Sequence, residues 1–259
     1  MNEILKTYAP ITLEEMSGIR LMNRTDTKYV TTRARLLKVL ELAREEYRAQ
    51  VINEVSNLPY FTRYYDTPMH DMFLEHHNGR KTRQKVRIRA YENTGASFLE
   101  IKNKNNHGRT AKKRIPVPTT TTWKEESLQF LQTHSRYEPT QLKGHIENHF
   151  NRITLVNRRM TERLTIDTDL CFRNLLTGEE IALPYLAIIE LKRDGNTYSP
   201  IREMLRKLHV KPSGFSKYCM GMALTDQSLK QNRFKPRLHM LERLRMQNEE
   251  EMKHIQITH

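Results

Sequence analysis

The sequence predicts an α+β protein built on a closed antiparallel barrel of about eight strands, with helices inserted between the strands. Two patterns indicate this fold class. Segments with strand composition place charged residues on one face and apolar residues on the other, and short turn sequences join several of them. No regular strand–helix–strand rhythm marks a parallel sheet. Closure of such a sheet would turn its charged faces into the lining of a lumen.

The size and charge of the chain limit its partners. It has 259 residues and a formal net charge of +14, which indicates an anionic partner such as nucleic acid, an acidic membrane or a polyanionic small molecule. We expect one domain over residues 1–230 and a charged helical tail over 231–259. The N-terminus lacks an apolar signal segment, and Cys171 and Cys219 resemble structural thiols of a reducing compartment. We therefore expect a cytoplasmic protein.

The first part of the chain predicts the start of the barrel. The patterns indicate, in order, a strand over 24–30, a helix capped by Thr31 or Thr32 and ending near Tyr47, a strand over 59–66 and a short helix through Leu74. In the first strand Asp26 and Lys28 share one face, because side chains alternate along a strand.

The strand pair 85–91 and 98–104 carries the clearest alternation. One face of the first strand presents Lys85, Arg87, Arg89 and Tyr91. Residues 92–95 predict a hairpin turn, so we expect Glu100 and Lys102 of the second strand to face the same way. Together these residues make a dense row of charge.

The second half of the chain predicts the remaining elements. They are a strand over 110–117, a helix over 123–133, a weaker helix over 140–150, strands over 152–158, 163–170 and 185–192, a helix over 199–208, a methionine-rich helix after residues 215–218, and a charged helix over 233–259. In the first of these strands the alternation selects Lys113 for the inner face. The register leaves open whether Arg158 or Arg159 faces inward, and we choose Arg158.

A barrel with these strands would have a strongly cationic lumen. The predicted lining comprises Lys28, Arg87, Arg89, Lys102, Lys113, Arg158, Arg163 and Lys192, with Glu100, Asp167 and Glu190 among them. Like charges at this density repel by several kcal/mol in a medium of reduced dielectric unless an anion lies between them. A chain of phosphates would suit the space.

Seven motifs then occur in an order that resembles a known family. They are Thr27-Lys28-Tyr29, Tyr65-Asp66-Thr67, Arg87-Ile88-Arg89-Ala90-Tyr91, Glu100-Ile101-Lys102, Arg163-Leu164-Thr165-Ile166-Asp167, Ile189-Glu190-Leu191-Lys192 and Phe215-Ser216-Lys217-Tyr218. From about residue 20 to 225, the chain resembles the VTC domain, the polyphosphate polymerase branch of the triphosphate tunnel metalloenzymes, in its stand-alone bacterial form.

This resemblance implies that the terminal phosphate of ATP passes to a growing polyphosphate chain inside a tunnel. It implies catalytic roles for Lys28, Arg87, Arg89 and Lys102. It implies phosphate binding by Lys113, Arg158, Arg163, Lys192 and Lys217, and a divalent metal, Mn²⁺ or Mg²⁺, on Glu190. The roles agree with general chemistry, because arginine forks match phosphate oxygens and a carboxylate is a hard ligand for such cations.

Two features depart from the family pattern. The first strand carries Arg24, Asp26 and Lys28 where the related thiamine triphosphatases have alternating glutamates, which argues against hydrolysis of small triphosphates as the main task. Gly214 stands where the eukaryotic polymerases carry a second lysine near the C-terminus.

Alternative functions remain open at this point: a non-catalytic module that binds polyphosphate or RNA, or a tripolyphosphatase or nucleoside triphosphatase of the same superfamily. Glu190 favours an enzyme, because a carboxylate weakens a purely anion-binding lumen while phosphoryl transfer uses a divalent cation. The expected partners are ATP and inorganic polyphosphate, without a specific nucleic acid; the sequence leaves open a membrane-protein partner and association with a membrane through it.

Overall fold

A computed structural model describes residues 1–19, 24–118, 123–195 and 197–257. The strands are β1 Ala9–Ile11, β2 Arg24–Thr32, β3 Tyr47–Gln50, β4 Asn57–Asp66, β5 Arg83–Tyr91, β6 Ala96–Lys104, β7 Thr110–Pro116, β8 Lys143–Asn157, β9 Glu162–Asn174, β10 Glu180–Leu183 and β11 Leu186–Asp194. The helices are α1 Asn2–Lys6, α2 Leu13–Ser17, α3 Arg33–Ala43, α4 Asp71–His77, α5 Glu125–His134, α6 Pro200–Lys207, α7 Lys217–Thr225 and α8 Lys235–Ile257. The last two residues of the predicted tail, 258 and 259, lie outside the described residues.

Eight strands form a continuous antiparallel path in the order β2-β11-β9-β8-β4-β5-β6-β7. The sheet curls into a half-barrel. It stays open, since its two end strands, β2 and β7, do not pair in the described part of the chain. The expectation of a closed barrel was therefore too strong. Strand β7 is mostly exposed and ends at Pro116, with Pro118 close behind. Proline has no N–H to donate to a neighbouring strand, so this segment suits an edge.

The helix predicted over residues 140–150 is wrong: most of this segment belongs to β8. This strand pairs with β4 on one side and β9 on the other. Its polar residues are buried in specific contacts, with Glu147 accepting from Arg63 at 2.8 Å and Asn148 Nδ2 donating to the Cys171 carbonyl at 2.9 Å. The register against β4 also shifts, because β8 has an extra residue between Gly144 and Ile146. Buried polar residues and this irregularity hide the alternation that would have marked a strand.

The outer face of the β2, β11, β9 and β8 section is apolar. Leu164, Ile166, Ile189 and Leu191 are fully buried there, together with residues of α3 and α6. Burial of such a continuous layer is the main favourable contribution to folding. It fixes the register of these strands, because a shift by one residue would exchange their two faces.

Helices α7 and α8 close one end of the curled sheet. Gly221 of α7 lies so close to Phe172 and Ile146 that an added Cβ would be 2.6 and 2.7 Å from their side chains. Leu241 and Leu244 of α8 are buried in the same apolar cluster. The opposite end, which we call the mouth, lies beyond Arg163, Lys192 and Tyr91. None of the described helices combines the length and apolar composition needed to cross a bilayer.

Candidate functional site

The inner face of the half-barrel collects charged side chains from seven strands and from the start of α7. Cross-strand pairs define this face, because directly opposed residues point the same way: Arg152 opposes Asp167, and Lys192 opposes Arg163. Apart from the terminal residues of the strands, its cations are Lys28, Lys85, Arg87, Arg89, Lys102, Lys112, Arg114, Arg152, Arg163, Lys192 and Lys217. With the same exception, its carboxylates are Asp26, Glu100, Asp167 and Glu190. The cations clearly outnumber the carboxylates.

Electrostatic coupling shows how strongly the sheet curls. Arg87, burial and Arg89 together lower the pKa of Lys102 to about 6, while Glu100 and Glu190 act in the opposite direction. Glu190 lies on β11 and Lys102 on β6, which are far apart along the sheet. Their mutual effect requires the two sides of the half-barrel to face each other. Lys102 is thus a lysine whose charge is suppressed by its neighbours.

On the β5–β7 side, Glu100 is fully buried between two cations. Arg87 donates from Nε at 2.8 Å and from Nη2 at 2.7 Å to one Glu100 oxygen, and Lys112 contacts the other. Burial would raise the pKa of Glu100, but Arg87, Arg89 and Lys112 hold it well below its usual range.

The choice of Lys113 for the inner face is wrong. Lys112 lies directly opposite Lys102, whereas Lys113 lies opposite the core residue Ile101 and its Nζ is 3.3 Å from His134 Nδ1. The side chains of Lys112 and Arg114 therefore share the inner face.

A second buried group joins β8, β9 and α7. Arg152 holds Asp167 with two hydrogen bonds of 2.6 and 2.8 Å, and Lys217 Nζ lies 2.8 Å from the same carboxylate. Burial strongly lowers the pKa of Lys217, although Asp167 partly opposes the shift. Tyr218, the next residue, donates to Asp66, which also accepts from the Met72 and Phe73 amides at the start of α4. This anchor fixes α7 and hence the position of Lys217.

The prediction that Arg158 faces inward is also wrong. Strand β8 ends at Asn157, and the exposed Arg158 donates from Nε to the Glu45 carbonyl at 2.6 Å, away from the inner face. Arg152 occupies the inner position instead. Alternation alone would place Arg158 on the same face as Arg152, six residues earlier, so the error arises because β8 ends at Asn157 and a turn follows.

Glu190 lies between two lysines on the β2–β11 side. Its carboxylate is 3.1 Å from Lys28 Nζ and 4.0 Å from Lys192 Nζ. Burial would raise its pKa, but Lys192 and Lys28 lower it to about 2. The carboxylate is therefore ionised at neutral pH.

The surroundings of Glu190 fit a metal that arrives with its substrate. Among the described residues no three His, Cys, Asp or Glu side chains converge on one point. Magnesium-like ions are commonly held by one or two carboxylates plus substrate phosphates and water. One ionised carboxylate beside a cationic face meets that requirement.

Three inner-face arginines differ in how their charge is balanced. Arg152 has Asp167, but Arg89 is buried and, within the described ranges, has only Thr62 Oγ1 as a hydrogen-bond partner, at 3.4 Å. Burial, Arg87 and Arg152 lower the pKa of Arg89 to about 10. Arg163 Nε is also buried without a hydrogen-bond partner among the described residues. A bound anion would satisfy both groups, since buried unpaired donors are costly.

Four cations of the inner face were absent from the predicted site: Lys85, Lys112, Arg114 and Arg152. Lys85 could have been chosen, because it belongs to the same alternating row as Arg87 and Arg89. Its Nζ donates to Ser216 Oγ at 3.0 Å, next to Lys217. The other predicted residues, Lys28, Lys102, Arg163, Lys192 and Lys217, come together on this face with Arg87, Arg89 and Glu190.

The curled antiparallel sheet and its cationic inner face define a protein class suited to a polyanionic ligand. Sequence comparison is more specific: the VTC domain matches residues 23–226. The chain belongs to this family. A comparison with curated proteins gives no match.

Solved structures give weaker similarities. A provisionally assigned adenylate cyclase from Bacillus halodurans has 14% identity and a TM-score of 0.49, covering 75% of this chain and 96% of its own. The PH1819 protein from Pyrococcus horikoshii has 13% identity and a TM-score of 0.41, covering 77% and 98%. A provisionally assigned adenylyl cyclase from Hippeastrum, described as having a dominant triphosphatase activity, has 12% identity and a TM-score of 0.43, covering 78% and 97%.

Proposed function

We propose that this protein is a polyphosphate polymerase, which transfers the terminal phosphoryl group of ATP to an inorganic polyphosphate chain. A terminal oxygen of the chain forms a bond to the γ-phosphorus. The bond between that phosphorus and the β–γ bridging oxygen breaks, and its electron pair leaves with ADP. The observation that carries the proposal is the inner face itself, where partly unpaired cations surround the ionised carboxylate of Glu190.

The two sides of the half-barrel suit different parts of this reaction. Arg87, Arg89 and Lys102 would hold the donor phosphates, because arginine forks match phosphate oxygens and their charge stabilises the transferred group. Lys28 would lie near the acceptor. Glu190 would hold a divalent cation, Mn²⁺ or Mg²⁺, which when bound supplies charge neutralisation for the transferring phosphate.

Three inner-face carboxylates are poorly suited to act as a general base for hydrolysis, and Lys102, whose pKa is about 6 in the free protein, would be protonated once phosphates bind beside it. A hydrolase that activates water gains from a general base whose pKa is near the working pH. Arg87 and Lys112 neutralise Glu100, Arg152 and Lys217 neutralise Asp167, and the pKa of Glu190 is only about 2. These three carboxylates are weak bases. A polyphosphate terminus needs no base, because its oxygens are already ionised.

A product assay tests the proposal. Purified protein would be incubated with γ-labelled ATP and Mn²⁺ or Mg²⁺, and the label would be separated by gel electrophoresis and by chromatography of free phosphate. Polymerase activity predicts long labelled chains and an equivalent amount of ADP. Labelled inorganic phosphate alone would instead indicate a nucleoside triphosphatase, and unchanged ATP would indicate a binding module; either result contradicts the proposal. Glu180→Gln is a matched control, because Glu180 is an exposed β10 residue paired with Arg173.

A further inference from the structure

An aromatic group lies at the mouth of the half-barrel and has no part in the phosphate chemistry above. Tyr91 ends β5, and Phe98 lies on the inner face of β6 opposite Arg89. Their ring centroids are 6.0 Å apart and nearly perpendicular, and Tyr60 lies 5.0 Å behind Tyr91. Tyr91 and Phe98 are both only partly buried. The mouth therefore presents aromatic surface to solvent next to strongly charged strands.

Cations alternate with these rings. The Arg114 guanidinium lies 4.5 Å from the centre of the Phe98 ring, and Arg89 lies 6.0 Å from that of Tyr60. A guanidinium plane and an aromatic ring are both surfaces on which a nucleobase can stack. An inorganic phosphate chain has no π face, so it can use the guanidinium charges but gains no stacking contact from the rings.

The order of residues along β5 sets the direction in which a nucleotide would lie against the aromatic group. Tyr91, Arg89 and Arg87 occupy successive inner-face positions. Alternate residues of an antiparallel strand are about 7 Å apart, so Arg87 lies about 14 Å from Tyr91 along the strand. An extended nucleoside triphosphate with its base at Tyr91 would reach Arg89 and then Arg87 with its phosphates. Lys102 and, across the half-barrel, Glu190 then lie at the inner end of this row.

We infer that Tyr91 and Phe98, with Arg114, form a stacking platform for the base of a nucleoside triphosphate. The inference rests on the proposed function only in taking a nucleotide as the phosphate donor. Stacking acts through the π face that every base possesses and carries little base-edge recognition. ATP and GTP should therefore bind with similar affinity.

Binding measurements without metal test this inference independently of catalysis. Isothermal titration calorimetry in EDTA would compare ATP with tripolyphosphate, which carries phosphates but no base. Tyr91→Ala should weaken ATP binding by roughly 5- to 150-fold, the equivalent of one lost base stack, and leave tripolyphosphate binding unchanged. Tyr91→Phe should keep both affinities. Phe98→Leu, which retains apolar volume without a ring, should act in the same direction as Tyr91→Ala.

The control is Tyr198→Ala, because Tyr198 is an exposed tyrosine outside the inner face, 58% accessible. It should leave both affinities unchanged. If Tyr91→Ala weakened the binding of ATP and of tripolyphosphate equally, Tyr91 would have a structural role and the inference would be overturned. An unchanged ATP affinity in this variant would also overturn it. So would a wild-type protein that binds tripolyphosphate but not ATP. Failure of the polymerase proposal would appear separately, as a lack of chain synthesis with the ATP-specific effect of Tyr91 intact.

Discussion

The suppressed charge of Lys102 predicts that anion binding is linked to proton uptake. With a pKa of about 6 in the free protein, set first by Arg87 and then by burial and Arg89, Lys102 would be about nine-tenths neutral at pH 7. A polyphosphate placed between these groups removes most of the repulsion and favours the charged amine. The pKa should then rise toward its ordinary value.

The expected size follows from these pKa values. If the bound state is fully protonated, Lys102 takes up about 0.5 proton at pH 6 and about 0.9 proton at pH 7. Since the complex holds the extra proton, affinity should fall as pH rises above 6. The contribution of Lys102 is about 1.4 kcal/mol per pH unit until the pKa of the complex is reached.

Calorimetric titration with tripolyphosphate in buffers of different ionisation enthalpy measures this uptake. The ligand and other lysines also exchange protons, so the relevant quantity is the difference between wild type and Lys102→Met under the same conditions. We expect the variant to take up nearly one proton fewer at pH 7. Equal uptake by the two proteins would refute the reasoning.

Three further predictions follow from how the inner-face cations are paired. Arg89→Ala should reduce tripolyphosphate affinity without lowering the melting temperature, because Arg89 makes no ion pair with a carboxylate in the described part of the chain. Arg87→Ala should also destabilise the fold, by less than the roughly 3–5 kcal/mol of a fully uncompensated buried charge, because Lys112 still contacts Glu100; equal stability of the two variants in denaturant titrations would contradict this. In calorimetry, Arg152→Ala should lose tripolyphosphate binding and Arg158→Ala should keep it. The opposite result would place Arg158, and not Arg152, in the site. Tripolyphosphate should raise the melting temperature more than sulfate at equal ionic strength, with salt reducing the effect; equal shifts would indicate diffuse surface binding.

Much of the inner face could be predicted because strand alternation is local. In β5 and β6, charged and apolar residues alternate without interruption, so Arg87, Arg89, Glu100 and Lys102 could be assigned to one face. The same reasoning failed at β7, where three consecutive basic residues fit either register. Only the pairing with β6 places Lys112, and not Lys113, beside Lys102.

The errors at β8 and at the barrel edge have non-local causes. Strand β8 carries buried polar side chains whose partners, such as Arg63 for Glu147, lie on other strands. An extra residue between Gly144 and Ile146, in the pairing with β4, separates the parity of Arg152 from that of the first residues of the strand. Whether β2 pairs with β7 depends on how far the whole sheet curls, a property that no single segment encodes.

The most direct measurement of the central claim compares synthesis with binding in Glu190→Gln. The variant keeps the shape of the side chain but removes the charge that would hold a divalent cation, so synthesis of labelled chains from ATP should be lost. Metal-free tripolyphosphate binding should stay the same or become tighter, because the inner face gains one unit of positive charge. Glu180→Gln should leave both unchanged. Full synthesis by Glu190→Gln, or loss of metal-free binding together with activity, would contradict the account.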